Sequence, residues 1–119
     1  MPVKKLVHAI RRAKPLSREE GMQILMRDHF KCQYCGLDGA ASLDNGLMMT
    51  VDFIIPRALR GKKDPQNLVA ACRACNLLKG RHRFHNFEEA KKYVLEKRDE
   101  QRREWERNVG SLREYRATA

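Results

Sequence analysis

The stretch that decides the fold is Cys72-Arg73-Ala74-Cys75-Asn76-Leu77-Leu78-Lys79-Gly80, which contains one of two Cys-x-x-Cys pairs in the chain. The other pair is Cys32 and Cys35, and 36 residues separate Cys35 from Cys72. Each pair places two thiols on one side of a turn, and together they complete a tetrahedral four-thiolate site typical of structural Zn²⁺. Four reduced cysteines without metal is one alternative. A thioredoxin-like redox pair is another, but two matched pairs are redundant for that chemistry.

The positive charge of the chain is unevenly distributed. The 119 residues carry a formal net charge of +10. Nine Lys/Arg and eight Asp/Glu lie in residues 85–119, so the remaining 16 basic and seven acidic residues give residues 1–84 a net charge of +9. The excess coincides with the cysteine motif, as expected for a surface that faces phosphates.

Nothing in the sequence indicates a membrane. We find no basic amphipathic anchor and no lipidation signal. No apolar run is long enough for a signal peptide or a bilayer span. We therefore expect a cytoplasmic protein. In the cytoplasm, paired cysteines bind metal more often than they form disulfides.

Local signals divide the chain into three segments and mark the ends of two helices. We expect a basic arm over residues 1–16, a metal-containing core over 17–84 and a charged helical extension over 85–119. Ser17 with Glu20 forms a capping box for a helix that ends near Asp28. Asn86 with Glu89 forms a similar cap for a helix from Phe87 to about Asn108, which Gly110 interrupts.

Between the cysteine pairs the patterns predict a loop, a strand and a helix. The loop is rich in small residues, the strand is an apolar run closed by Pro56, and Gly80 suits the position after a helix. The predicted ranges are 38–46 for the loop, 48–55 for the strand and about 65–78 for the helix.

Two further stretches complete a recognisable frame: Thr50-Val51-Asp52-Phe53-Ile54-Ile55-Pro56-Arg57 and Asn67-Leu68-Val69. Thirteen residues separate Phe53 from Asn67, and eight separate Asn67 from Asn76. With the cysteine pairs, this frame resembles the HNH endonucleases over residues 27–80, somewhat under half of the chain. The resemblance implies an α+β fold with a small, treble-clef-like ββα-metal core and a Cys₄ zinc site. An N-terminal helix and a long C-terminal helix would flank that core.

The resemblance also implies roles for three polar residues. Asp52 on the strand and Asn76 on the helix would bind a catalytic Mg²⁺ or Mn²⁺, ions that prefer oxygen ligands. Asn67 would brace the hairpin by hydrogen bonds to the backbone near position 53. Taken singly, Asp52 reads as an exposed strand carboxylate and Asn67 as a helix cap, but the combined spacing favours the metal frame.

Position 53 departs from the family pattern, in which a histidine there takes a proton from the attacking water. Phe53 has no nitrogen and accepts no proton, and loss of a general base typically costs about 10²–10⁴ in rate. We expect Phe53 at the mouth of the site, as an apolar plug or a stacking surface for a base or sugar. The alternative is that Phe53 extends the apolar strand into the core. His82 and His85 are candidate substitute bases, although ordinary surface histidines are more common.

Basic residues flank the frame on both sides and are expected to contact phosphates without reading sequence. They are Arg57, Arg60, Lys62, Lys63, Arg73, Lys79, Arg81 and Arg83.

Three functions are consistent with the sequence. The first is a weak or impaired DNA endonuclease or nickase that acts on duplex DNA with little sequence preference. The second is a catalytically inactive DNA-binding zinc module or partner-docking scaffold. The third is a zinc domain that binds RNA or a protein, with the C-terminal helix as the docking surface.

Overall fold

The computed structural model describes residues 13–119. Helix α1 (Arg18–Arg27) begins at the predicted capping box, because the Ser17 hydroxyl accepts from the Glu20 N–H and the Glu20 side chain accepts from the Ser17 N–H. The helix ends at Asp28, as predicted. The predicted basic arm lies almost entirely outside the described residues.

Two antiparallel strands form the sheet, β1 (Met49–Phe53) and β2 (Leu68–Cys72). Strand β1 confirms the predicted strand with slightly shorter ends. The two strands pair in register, with Met49 opposite Cys72 and Phe53 opposite Leu68. A short 3-10 turn at Arg57–Leu59 and another at Pro65–Asn67 lie in the connection between the strands.

The prediction of one helix over 65–78 was wrong in its first half. Residues up to Cys72 form a turn and β2, and helix α3 covers only Arg73–Lys79. Residues 68–72 form a strand because β1, which is distant in sequence, supplies their hydrogen-bond partners. The local sequence does not reveal these partners. A short apolar run is compatible with either a strand or a buried helix. Gly80 ends α3 with a positive φ of 61°, as predicted.

Two further predictions need correction. Part of the predicted loop over 38–46 is a short helix, α2 (Leu43–Leu47), because the Ser42 hydroxyl accepts from the Asn45 N–H and caps it. Gly110 does not interrupt the C-terminal helix, since α4 runs continuously over Phe87–Thr118. One glycine costs a helix only about 1 kcal/mol relative to alanine, which the flanking helix-forming residues offset.

The sheet lies between helices, and the two faces of β1 have different neighbours. Helix α1 packs on both strands, while α3 packs on the strands and on the first turns of α4. Ten buried residues form the core: Cys32, Tyr34, Met49, Ala70, Ala71, Cys72, Cys75, Phe84, Ala90 and Val94. The fold is therefore a ββα arrangement with a cysteine cluster at its centre and a helix at each side.

Among the described residues 13–119, only the first turns of α4 pack on this core. The Asn86 side chain caps the helix by accepting from the Glu89 N–H, as predicted. From Asp99 to Asn108 every residue is exposed. Within residues 13–119, no helix combines the length and apolar character needed to cross a bilayer.

Candidate functional site

The four cysteines converge although they come from two distant turns. Cys32 and Cys35 lie in the turn after α1, Cys72 ends β2, and Cys75 lies in the first turn of α3. Their sulfur atoms all lie within 4.8 Å of one another. Sulfur atoms at about 2.3 Å from a tetrahedral zinc ion are about 3.8 Å apart, and the Cys35 and Cys72 sulfurs are 3.8 Å apart. The set therefore fits a structural metal ion such as zinc.

The charge state of the thiols supports the same conclusion. The nearby Cys32 sulfur raises the pKa of both the Cys72 and the Cys75 thiol, and burial raises them further. Four adjacent thiolates repel one another, so the protein alone cannot keep all four ionised. A divalent cation at the centre removes that repulsion, which is why such sites bind metal as they fold.

Asp52 lies close to this cluster but is enclosed by protein groups. Its Oδ1 atom is 3.3 Å from the Lys79 ammonium, and its Oδ2 atom accepts a hydrogen bond from the Tyr34 hydroxyl. Lys79 also donates to the Phe53 carbonyl at 2.9 Å. The side-chain exposures are 4% for Asp52 and 1% for Lys79, so this is a buried ion pair.

Burial raises the pKa of Asp52, and the Lys79 charge and the Tyr34 hydrogen bond oppose that rise. Burial, followed by the Asp52 charge, raises the pKa of Tyr34, which keeps its hydroxyl protonated as a donor. Both oxygens of the carboxylate are therefore engaged inside the protein. Mg²⁺ and Mn²⁺ sites of this type retain several waters, and the enclosed carboxylate offers no room for them. The arrangement does not fit the catalytic cation expected at Asp52.

Asn67 and Asn76 occupy different environments. The Asn67 side chain binds both backbone groups of Ile55, accepting from its N–H at 2.8 Å and donating to its carbonyl at 3.1 Å. It also donates to the Lys62 carbonyl at 3.0 Å. Asn67 thus ties the connection between the strands to the end of β1. Asn76 is half-buried on α3, directly after Cys75.

Gly61 allows the connection between the strands to fold back closely on Ile55, just after the end of β1. A Cβ atom on this residue would lie 1.6 Å from the Ile55 carbonyl oxygen, a clash with backbone that no rotamer relieves. The close approach and the Asn67 hydrogen bonds together fix the loop that carries Arg60 and Lys62.

Phe53 lies on the other face of β1 from Asp52. Its half-buried ring lines a depression formed with Val51, with α1 and with the segment that precedes α1. Arg57 lines the same depression. The ring therefore borders solvent rather than the core between β1 and α3.

The two candidate substitute bases have partners outside the frame. His82 packs edge-on against the Phe84 and Tyr93 rings, with its Nε2 atom 3.4 Å from the Tyr93 hydroxyl. The His85 Nδ1 atom is 2.8 Å from the Glu89 carboxylate, and His85 lowers the pKa of Glu89. His85 also borders a second depression beside Ile55 and Arg83.

The predicted phosphate-contacting residues fall into three groups. Lys79 is buried and cannot contact DNA, so that assignment was wrong. Arg57 and Lys63 are half-buried, with Arg57 donating to the Ala13 carbonyl and Lys63 paired with Glu20 at 3.0 Å. The others are exposed: Arg60, Lys62, Arg73, Arg81 and Arg83.

Tyr34 and the inward position of Lys79 escaped the sequence analysis. Tyr34 lies inside the first cysteine pair, where the motif draws attention only to the thiols. A signal for Lys79 was present, because it follows Cys75 by four residues and residues so spaced share one face of a helix. Since Cys75 must face the metal site, Lys79 must also face inwards.

The described residues thus form a ββα core with four converging cysteines that fit a structural metal ion. The profile of the HNH endonuclease family matches residues 32–82. Residues 32–82, somewhat under half of the chain, are therefore similar to the HNH endonuclease family. No curated protein and no solved structure matches the chain.

Proposed function

We propose that this protein is an HNH-family zinc domain that binds duplex DNA and in which phosphodiester hydrolysis is weak or absent. The observation that carries the proposal is position 53, where the ring of Phe53 borders solvent on β1 and itself accepts no proton. Nothing else in the frame is replaced, since Asp52, Asn67, Asn76 and the four cysteines are all present.

Charge supports DNA as the partner. The excess of +9 falls on residues 1–84, and five basic side chains around the frame are exposed. Basic side chains that contact the phosphate backbone of duplex DNA bind it with little sequence preference, and this binding weakens steeply with salt.

A second candidate function, a binding module without any catalysis, is favoured by the buried pair of Asp52 and Lys79. In this function the ammonium group neutralises the carboxylate permanently, and the domain only holds DNA. The exposed part of α4 would then serve to dock a protein partner, since residues 99–118 carry equal numbers of basic and acidic side chains.

DNA binding is tested by fluorescence anisotropy with a labelled duplex at several salt concentrations. We expect affinity to fall steeply with salt, and the Arg60→Gln/Lys62→Gln variant to lower the salt slope by about two, roughly one per phosphate contact. Arg107→Gln/Arg116→Gln on the exposed part of α4 is the matched control. A flat salt response would contradict a phosphate-binding surface.

Hydrolysis is tested by nicking of supercoiled plasmid in the presence of Mg²⁺ or Mn²⁺. We expect little or no nicking by the native chain. A gain with Phe53→His, but not with the matched Tyr115→His, would show that the missing base is the main defect. No gain with intact DNA binding would favour the second candidate. Robust native nicking that His82→Ala or His85→Ala abolishes would contradict both.

A further inference from the structure

The depression beside Phe53 has the features of a small ligand site. Its volume is about 370 Å³, within the range of roughly 300–1,000 Å³ that is usual for such sites. Apolar side chains from three parts of the chain form its floor and walls: Pro15, Leu16, Met22, Leu25, Val51 and Phe53. The strand, the helix and the preceding segment therefore converge on one open apolar surface.

Two guanidinium groups border this apolar surface. Arg18 is the first residue of α1 and is exposed, and Arg57 follows β1 after the Pro56 turn. The Arg57 Nε atom donates to the Ala13 carbonyl at 3.0 Å, which holds the side chain against the depression. An apolar depression that contains an aromatic ring and has positive charge at its edge suits a ligand with a flat apolar part and an anionic part.

A nucleotide has both parts. Its base stacks on aromatic rings irrespective of sequence, and its phosphate binds guanidinium groups. A paired base is already stacked within the duplex and is not accessible to Phe53. The ligand must therefore come from an unpaired nucleotide.

We propose that this depression binds an unpaired nucleobase of DNA, stacked on Phe53, with the adjoining phosphate at Arg18 and Arg57. This proposal rests on the proposed DNA-binding function and narrows it to DNA with single-stranded positions, such as a mismatch, a gap or a flap. Phe53 is then a binding residue that has replaced a catalytic one.

The test compares two probes, a labelled single strand of 20 thymidines and a labelled 20-base-pair duplex. We expect Phe53→Leu, which keeps the apolar volume but has no ring, to weaken single-strand binding by about 5- to 150-fold. Duplex binding should change less than about twofold. Phe53→Trp, which keeps a ring, should retain single-strand binding.

Tyr115→Leu is the matched control, because it removes an exposed ring from the far end of α4. Arg18→Gln should weaken single-strand binding more than duplex binding. Circular dichroism and zinc content confirm that each variant is folded.

Three results would count against the proposal. Equal effects of Phe53→Leu on both probes, or no effect on either, would overturn the stacking site while leaving duplex binding intact. Tighter binding of a uridine RNA strand than of the DNA strand would overturn the assignment to DNA. If the native chain binds neither DNA probe, the proposed function itself fails.

Discussion

Two groups of potential metal ligands lie on the same hairpin and helix, and they differ in what surrounds them. The four sulfur atoms of the cysteine cluster lie within 4.8 Å of one another, a geometry that fits a metal ion. The Asp52 carboxylate, by contrast, already has a buried ammonium group and a hydroxyl as partners. One group is a set of thiols placed to hold a metal ion, and the other is a carboxylate paired with a lysine of the same domain.

The difference shows that a residue of a metal-ligand type, at a spacing typical of metal sites, is not always accessible to a metal ion. Asp52 is enclosed, while Phe53 at the next position borders solvent. The sequence pattern around Asp52 is thus present, and the surface at position 53 is apolar. Two changes would test this comparison and a third would test the exposed part of α4, beginning with the largest expected effect.

Removing the structural metal should unfold the domain. Zinc binding contributes roughly 10–16 kcal/mol in small zinc domains, which is as large as the total stability of most proteins of this size. We expect Cys75→Ser, or a strong chelator, to abolish the cooperative unfolding transition seen by circular dichroism. Gln33→Ser, a change within the same turn that spares the thiols, is the control. A chelated chain that retains its transition would refute the structural role of the metal.

Breaking the buried ion pair should have the next largest effect. Lys79→Met leaves the Asp52 charge buried without its cation, which typically costs about 3–5 kcal/mol. Urea denaturation would measure this loss against Lys97→Met, which removes a partly exposed lysine paired with Glu100. The double variant Asp52→Asn/Lys79→Met should recover part of the stability. A loss no larger than that of the control would mean that the pair is open to solvent in solution.

A substitution in the exposed part of α4 should have the smallest effect on stability, and it should stabilise the helix rather than destabilise it. A Cβ atom on Gly110 meets nothing within 4 Å, so Gly110→Ala should stabilise the local helix by about 1 kcal/mol. Slower amide hydrogen exchange over residues 106–114 would report this change, with the global unfolding midpoint unaltered. Gly61→Ala is the contrasting variant, because its Cβ would clash with backbone and should destabilise the fold. A shift of the global midpoint by Gly110→Ala would show that this part of α4 packs on the core.

Much of the fold could be predicted because its signals are local. Ser17 with Glu20 and Asn86 with Glu89 mark helix starts through hydrogen bonds within four residues. The spacing of each cysteine pair is likewise sufficient to predict a turn that presents two thiols. Strand β2 could not be predicted in the same way, because its hydrogen-bond partners come from β1, about twenty residues earlier in the chain.

The sequence by itself determined the metal cluster, the helix caps and the absence of a base at position 53, since each depends only on residue type and short spacing. Only the tertiary structure decided the environments of the polar residues. It buried Lys79 against Asp52, placed the Tyr34 hydroxyl on the same carboxylate and left the Phe53 ring beside solvent. The reason is that burial and charge pairing depend on which distant segments meet, and a carboxylate available to a metal and one neutralised by a lysine have the same sequence motif.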